Sequence, residues 1–143
     1  HGVIKKGSVT STGFETPFVL DPTAGTIEDD LDELSGMLES EAWQGFSFIF
    51  VSHAPPKDTD LDRTSAGYNV GSTAVKRFIE RWGPSGRLIA SFHGHIHEST
   101  RITGFWQDRI GCTYCFSAAH DSEELALVRF DLDHPETATR ELV

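Results

Sequence analysis

Apolar residues recur at spacings of three and four through Ile27, Leu31, Leu34, Leu38 and Ala42, with acidic residues on the opposite side. That periodicity predicts an amphipathic helix. Thr26 stands where an N-cap belongs, and Glu28, Asp29 and Asp30 suit the positive end of the helix. Phe46 to Val51 is instead a dense apolar run, the pattern of a strand buried on both faces. From His53 to Gly71 the chain is rich in Pro, Asp, Thr and Gly, and so long a loop inside a compact domain usually carries function. Ser72 caps a second helix whose buried stripe is Val75, Phe78, Ile79 and Trp82, and Gly83-Pro84 stops it. Arg87 to Phe92 is a further buried strand that Gly94 ends. Strands are also expected at Thr100–Trp106, Asp108–Phe116 and Leu125–Leu132. Ahead of the first helix, Val3-Ile4 and Ser8 to Phe14 read as strands around a Lys5-Lys6-Gly7 turn, and Pro17 to Gly25 reads as loop. The alternation of strands and helices, followed by strands alone, predicts an α/β fold with a layered mixed β-sheet and flanking helices. Residues 1–132 form the expected domain and 133–143 a polar tail.

The chain has 143 residues, enough for one domain. With 12 basic and 22 acidic side chains its formal charge is −10. Nucleic acid and anionic membrane surfaces are therefore poor partners, because both call for a basic face. No apolar run approaches the ~20 residues that span a bilayer. No charged-then-apolar leader opens the chain, so a cytoplasmic location is expected. Its first residue is His rather than Met, as in a segment excised from something longer. Cys112 and Cys115 make a C-x-x-C, but within a strand pattern they point to opposite faces and read as reduced, structural thiols.

Chemistry concentrates in the histidines. His53 follows one buried strand directly and precedes Ala54-Pro55-Pro56, while His95 and His97 follow another. Strand ends are where open α/β sheets place ligands. His95 and His97 lie two apart in a segment read as extended, so both rings leave the same side. Neutral imidazole is a good ligand for Zn, Mn, Fe or Ni. A lone strand-end histidine is more often structural, but the two sites together make a metal centre the sharper reading. His93 shares the alternation and is expected to be buried behind the site. His1, His120 and His134 are expected at the surface.

The segments Val51-Ser52-His53-Ala54-Pro55-Pro56, Val70-Gly71-Ser72-Thr73-Ala74-Val75 and Gly94-His95-Ile96-His97-Glu98-Ser99 resemble the C-terminal half of a calcineurin-like metallophosphoesterase. The resemblance runs from about Gly2 to Leu132, and Phe14 with Thr16-Pro17-Phe18 fits the family's connecting segment. It implies half of an αββα sandwich and a dinuclear centre of two divalent metals (Mn, Fe, Zn or Ni). His53 and His95 would hold one metal and His97 the other. The implied reaction is hydrolysis of a phosphoester, with the class of ester left open.

The same resemblance calls for D-x-H, G-D-x-x-D and G-N-H-D or G-N-H-E motifs. None occurs among these residues: no His has an Asp two positions before it, no Gly precedes Asp, and Val70 follows the only Asn, Asn69. Histidines alone leave a pair of close cations without a bridging anion to offset their repulsion. The expectation is that this chain is inactive without an N-terminal half, and that half a sandwich self-associates through its exposed sheet. Two alternatives stand beside it: a non-catalytic α/β protein-binding module, and a degenerate relative holding one zinc through His53, His95 and His97. Lys57, Arg63 and Arg101 are the cations nearest the motifs. Asp58, Asp60 and Asp62 alternate as in a calcium loop, but Arg63 stands where that loop needs Gly.

Overall fold

A computed structural model of the protein describes residues 25–143, together with the backbone of short strands before them. Contacts divide the chain into His1–Trp43 and Gln44–Val143. In the first unit, β1 (Ile4–Lys6) pairs antiparallel with β4 (Val19–Leu20), and β2 (Val9–Thr10) with β3 (Gly13–Phe14). Lys5 and Lys6 thus lie within a strand rather than a turn, and β4 lies in the segment expected as loop.

Helix α1 (Ile27–Glu39) begins as its sequence dictates. Thr26 accepts a hydrogen bond from the Asp29 N–H at 3.1 Å, while the Asp29 carboxylate accepts one from the Thr26 N–H at 2.8 Å. This reciprocal capping box satisfies two amides that the helix leaves free. Those bonds hold the Asp29 carboxyl below its ordinary range.

The second unit is built on a mixed sheet in the order β5-β6-β8-β7: Phe48–Ser52, Leu88–His93, Thr113–Ser117 and Gln107–Ile110. β5, β6 and β8 run parallel, and β7 is antiparallel to β8. Helix α2 (Thr73–Trp82) is the crossover between β5 and β6, started by Ser72, whose hydroxyl accepts from the Val75 N–H. Its Phe78 and Trp82 pack on Phe48 and Phe50. Phe50, Phe78 and Trp82 are buried, and each contributes about 2 kcal/mol. On the other face Phe116 is fully buried, with the rings of Phe92, Trp106, Tyr114 and Phe130 around it. The chain is therefore mixed α/β with a mixed sheet and flanking helices, as its pattern predicts.

Three local expectations are corrected. β5 is not buried on both faces: it forms one edge of the sheet, with Val51 75% and Ile49 39% exposed. The Thr100–Trp106 strand is instead helix α3 (Ser99–Thr103), closed by Gly104 at a φ of 80°. Asp108–Phe116 is a hairpin rather than one strand, turning at Gly111, whose φ of 60° suits glycine. Cys112 is consequently an exposed turn residue, while Cys115 is buried and its thiol is pushed up to about 11 by desolvation. Residues 133–143 contain β10 (Thr139–Leu142), paired antiparallel with β9 (Ala126–Arg129). Among the described residues no helix is long and apolar enough to cross a membrane.

The loop between β5 and α2 is organised around Asp62, which is fully buried. Its carboxylate accepts hydrogen bonds from the Asp58, Thr59 and Gly71 amides at 3.0, 3.2 and 2.9 Å and from Asn69 Nδ2 at 2.6 Å. Gly71 is required there, since a Cβ would lie 2.7 Å from the Pro56 carbonyl and 2.8 Å from the Asp62 carboxylate. Replacing Asp62 by Ala strands those donors, so Asp62→Ala should lower the unfolding free energy by about 3–5 kcal/mol. Gly71→Ala should cost about 2–3 kcal/mol by overpacking the same point. Urea titrations check both; losses below about 1 kcal/mol would show that Asp62 does not organise the loop.

Candidate metal centre

Parallel pairing of β5 with β6 puts Ser52 opposite His93. The turns that follow both strands therefore leave the same end of the sheet. His53 begins one turn and His95 lies in the other. Their facing nitrogens, His53 Nε2 and His95 Nδ1, are 3.0 Å apart, with ring centroids at 4.7 Å and planes at 62°. The Gly94 N–H also donates to the His53 carbonyl at 3.1 Å, joining the turns through their backbones.

His95 departs from the extended geometry expected of it. Its φ is 70°, and the Ile96 N–H closes a tight turn on the Gly94 carbonyl at 2.9 Å. A non-glycine residue with this φ is strained, and such strain clusters at functional sites. The alternation argument for His95 and His97 therefore gives way to a turn in which buried Ile96 is the anchor and both flanking histidines are exposed. Gly94 is not where the chain needs its unusual φ, since that falls on His95.

Desolvation of its crowded ring holds the His95 imidazole below the ordinary histidine range; the charges of His53 and His97 push it further down, against Glu98. His95 is thus biased toward the neutral form, the one with a lone pair to give. The structure brings His53 and His95 into direct contact and leaves His97 close enough for its charge to act on His95. No set of three His, Cys, Asp or Glu side chains among the described residues is gathered as a metal cage.

The neighbouring cations are tied elsewhere. Lys57 Nζ donates to the Asn69 carbonyl, Arg63 to the Gly67 carbonyl, and Arg101 pairs with Asp121 at 2.7 Å. Two shallow cavities of about 250 and 360 Å³ lie beside Asp60 and Asp108, and no histidine lines either. His120 is half-buried rather than fully at the surface, 3.9 Å from the Glu124 carboxylate, while His134 is exposed as expected. His1 lies outside the described residues.

His93 is 3% exposed, the buried position expected of it. Burial pushes its imidazole down to about 4, against the opposing pull of the Ala54 and Ser52 backbones. The folded state therefore disfavours a proton that the unfolded chain accepts near pH 6.5. Its neutral burial contributes stability that is complete above pH 6.5, declines as pH falls from 6.5 to 4 and levels off below. The contribution should shrink by about 3 kcal/mol between pH 7 and pH 4. Urea titrations of the wild type and His93→Phe across that range test it, and an unchanged difference between the two would refute it. No family model, no curated protein and no solved structure matches this chain.

Proposed function

We propose that this chain is the C-terminal half of a calcineurin-like metallophosphoesterase, with the layout of half an αββα sandwich. In this reading it contributes His53, His95 and His97 as ligands to a centre of two divalent metals that hydrolyses a phosphoester. The observation that carries the reading is the 3.0 Å approach of His53 Nε2 to His95 Nδ1 at adjoining strand ends. Two nitrogens at ~2.1 Å from one first-row metal stand ~3.0–3.4 Å apart for right-angle to tetrahedral ligation. The donor pair therefore fits a shared ion, and the neutral bias of His95 supports it. His97, next along the turn, would serve the neighbouring ion.

Bound there, the metals would supply an activated water and neutralise charge on the phosphoryl oxygens. The chain's own part is narrower. It biases the His95 imidazole toward the neutral form, sets it against His53 through the joined turns, and presents both rings at the open end of the sheet. It offers no bridging carboxylate in the expected motifs, so activity awaits a half that carries one.

The isolated chain supplied with Mn²⁺, Zn²⁺ or Ni²⁺ should not hydrolyse p-nitrophenyl phosphate or bis(p-nitrophenyl) phosphate. Joined to a half bearing D-x-H, G-D-x-x-D and G-N-H motifs, it should turn over one of them. His53→Ala, His95→Ala or His97→Ala should each then lower kcat/KM by on the order of 100-fold or more. Turnover indifferent to all three substitutions would overturn the assignment.

The exposed Ile49 and Val51 on edge strand β5 favour a second reading, in which the chain is a protein-binding α/β module. Both readings expect self-association of the isolated chain. Sedimentation should show it, and Val51→Lys should weaken it; a wild-type monomer at ~100 μM would count against an exposed, adhesive edge.

A further inference from the structure

We infer that His93, which is not among the proposed ligands, is the positioning residue that sets His53 against His95. The inference rests on the metal-centre reading for its consequence, but its geometry stands by itself. His93 is the last residue of β6, 3% exposed, with its ring beside Phe50. Its Nδ1 lies 3.1 Å from the Ala54 carbonyl and its Nε2 lies 2.9 Å from Ser91 Oγ. The carbonyl engaged thus belongs to the residue that directly follows His53.

A carbonyl only accepts, so Nδ1 must carry the proton and donate to Ala54. In a neutral ring Nε2 is then bare, and the Ser91 hydroxyl donates to it. Ser91 is itself fully buried and sits within reach of the Cys115 thiol. The tautomer is therefore fixed from inside the sheet, and its outward face clamps the turn that carries His53. The strand that ends in this clamp runs on through Gly94 into His95. One residue thereby ties the backbones of both histidines to a common point.

The test uses the metal-free chain at pH 8 and the ring nitrogen resonances of its histidines. In the wild type His93 should show the Nδ1–H tautomer, and His53 and His95 should show one protonated nitrogen facing one bare nitrogen. His93→Phe keeps the ring's bulk but removes both hydrogen bonds, and should abolish that paired signature. His93→Asn, whose Nδ2 can replace Nδ1 toward Ala54, should restore it. An Nε2–H tautomer in the wild type would overturn the proposal without any variant. A paired signature that survives in His93→Phe would overturn it equally. Co²⁺ titration adds the link to function: affinity should fall ~10-fold or more in His93→Phe and recover in His93→Asn. If the wild type binds no Co²⁺, the shared ion between His53 and His95 in this chain alone is refuted, while the ring resonances still decide the role of His93.

Discussion

Everything at the candidate site depends on the parallel pairing of β5 with β6. Parallel strands need a long crossover, and α2 supplies it by burying Val75, Phe78, Ile79 and Trp82 against the sheet. The register that pairs Ser52 with His93 places the following residues side by side at one sheet end. An antiparallel pairing would send His53 and His95 to opposite ends. A shift of register by one residue would turn His93 out of the interior and break its bond to Ala54. The contact between the rings thus inherits its precision from hydrophobic packing some distance away.

The second dependence is the loop that connects β5 to α2. It has to leave the sheet at His53 and return to Ser72 without strands or helices of its own. A buried carboxylate achieves this by collecting donors from both limbs of the loop, Asp58 and Thr59 on one side and Asn69 and Gly71 on the other. Hydrogen bonds to an ionised acceptor are about twice as strong as neutral ones, and they act here beside the fully buried Leu61, Pro55 and Pro56. The loop is also fastened laterally: Ser99 at the start of α3 donates to the Asp60 carbonyl and accepts from the Arg63 N–H. The segments following β5 and β6 are therefore one connected structure, which limits how far His53 can drift from His95.

The sequence made some of this plain and hid the rest for identifiable reasons. Thr26 and Ser72 announced both longer helices because capping is local chemistry, written within four residues. The strand-end positions of His53 and His95 were legible because buried strands advertise themselves by apolar density. The fate of Thr100–Trp106 was not. Its β-branched Thr100, Ile102 and Thr103 favour a strand, yet the segment is helical because Ser99 and Thr103 bond the Asp60 carbonyl, 39 and 43 residues distant in sequence. The role of Asp62 was hidden similarly: Arg63 rules out a calcium loop at Asp58, Asp60 and Asp62, but nothing local reveals that the partners of Asp62 are amides of its own chain. The positive φ of His95 could not be foreseen either, since the adjoining Gly94 is the residue on which a turn would ordinarily place it. The exposure of Val51 depends on what covers β5, and no property of an apolar run encodes its cover.

Charge bears on the proposed chemistry in a way that residue contacts do not. A chain of net charge −10 raises the local concentration of divalent cations and lowers that of phosphate anions. The bias of His95 toward neutrality complements this, because a protonated ring would repel the cation and has no lone pair to offer. Of the cations nearest the motifs, Lys57 and Arg63 donate to loop carbonyls and Arg101 is paired with Asp121. On the proposed reading this half is suited to recruiting metal and ill suited to recruiting substrate. Metal must come first, since only the bound ions can reverse the sign of the field that a phosphoester meets. The partner half then has a defined physical task, which is to add the bridging carboxylate that lets both ions stay together, and enough positive surface to bring the anion in.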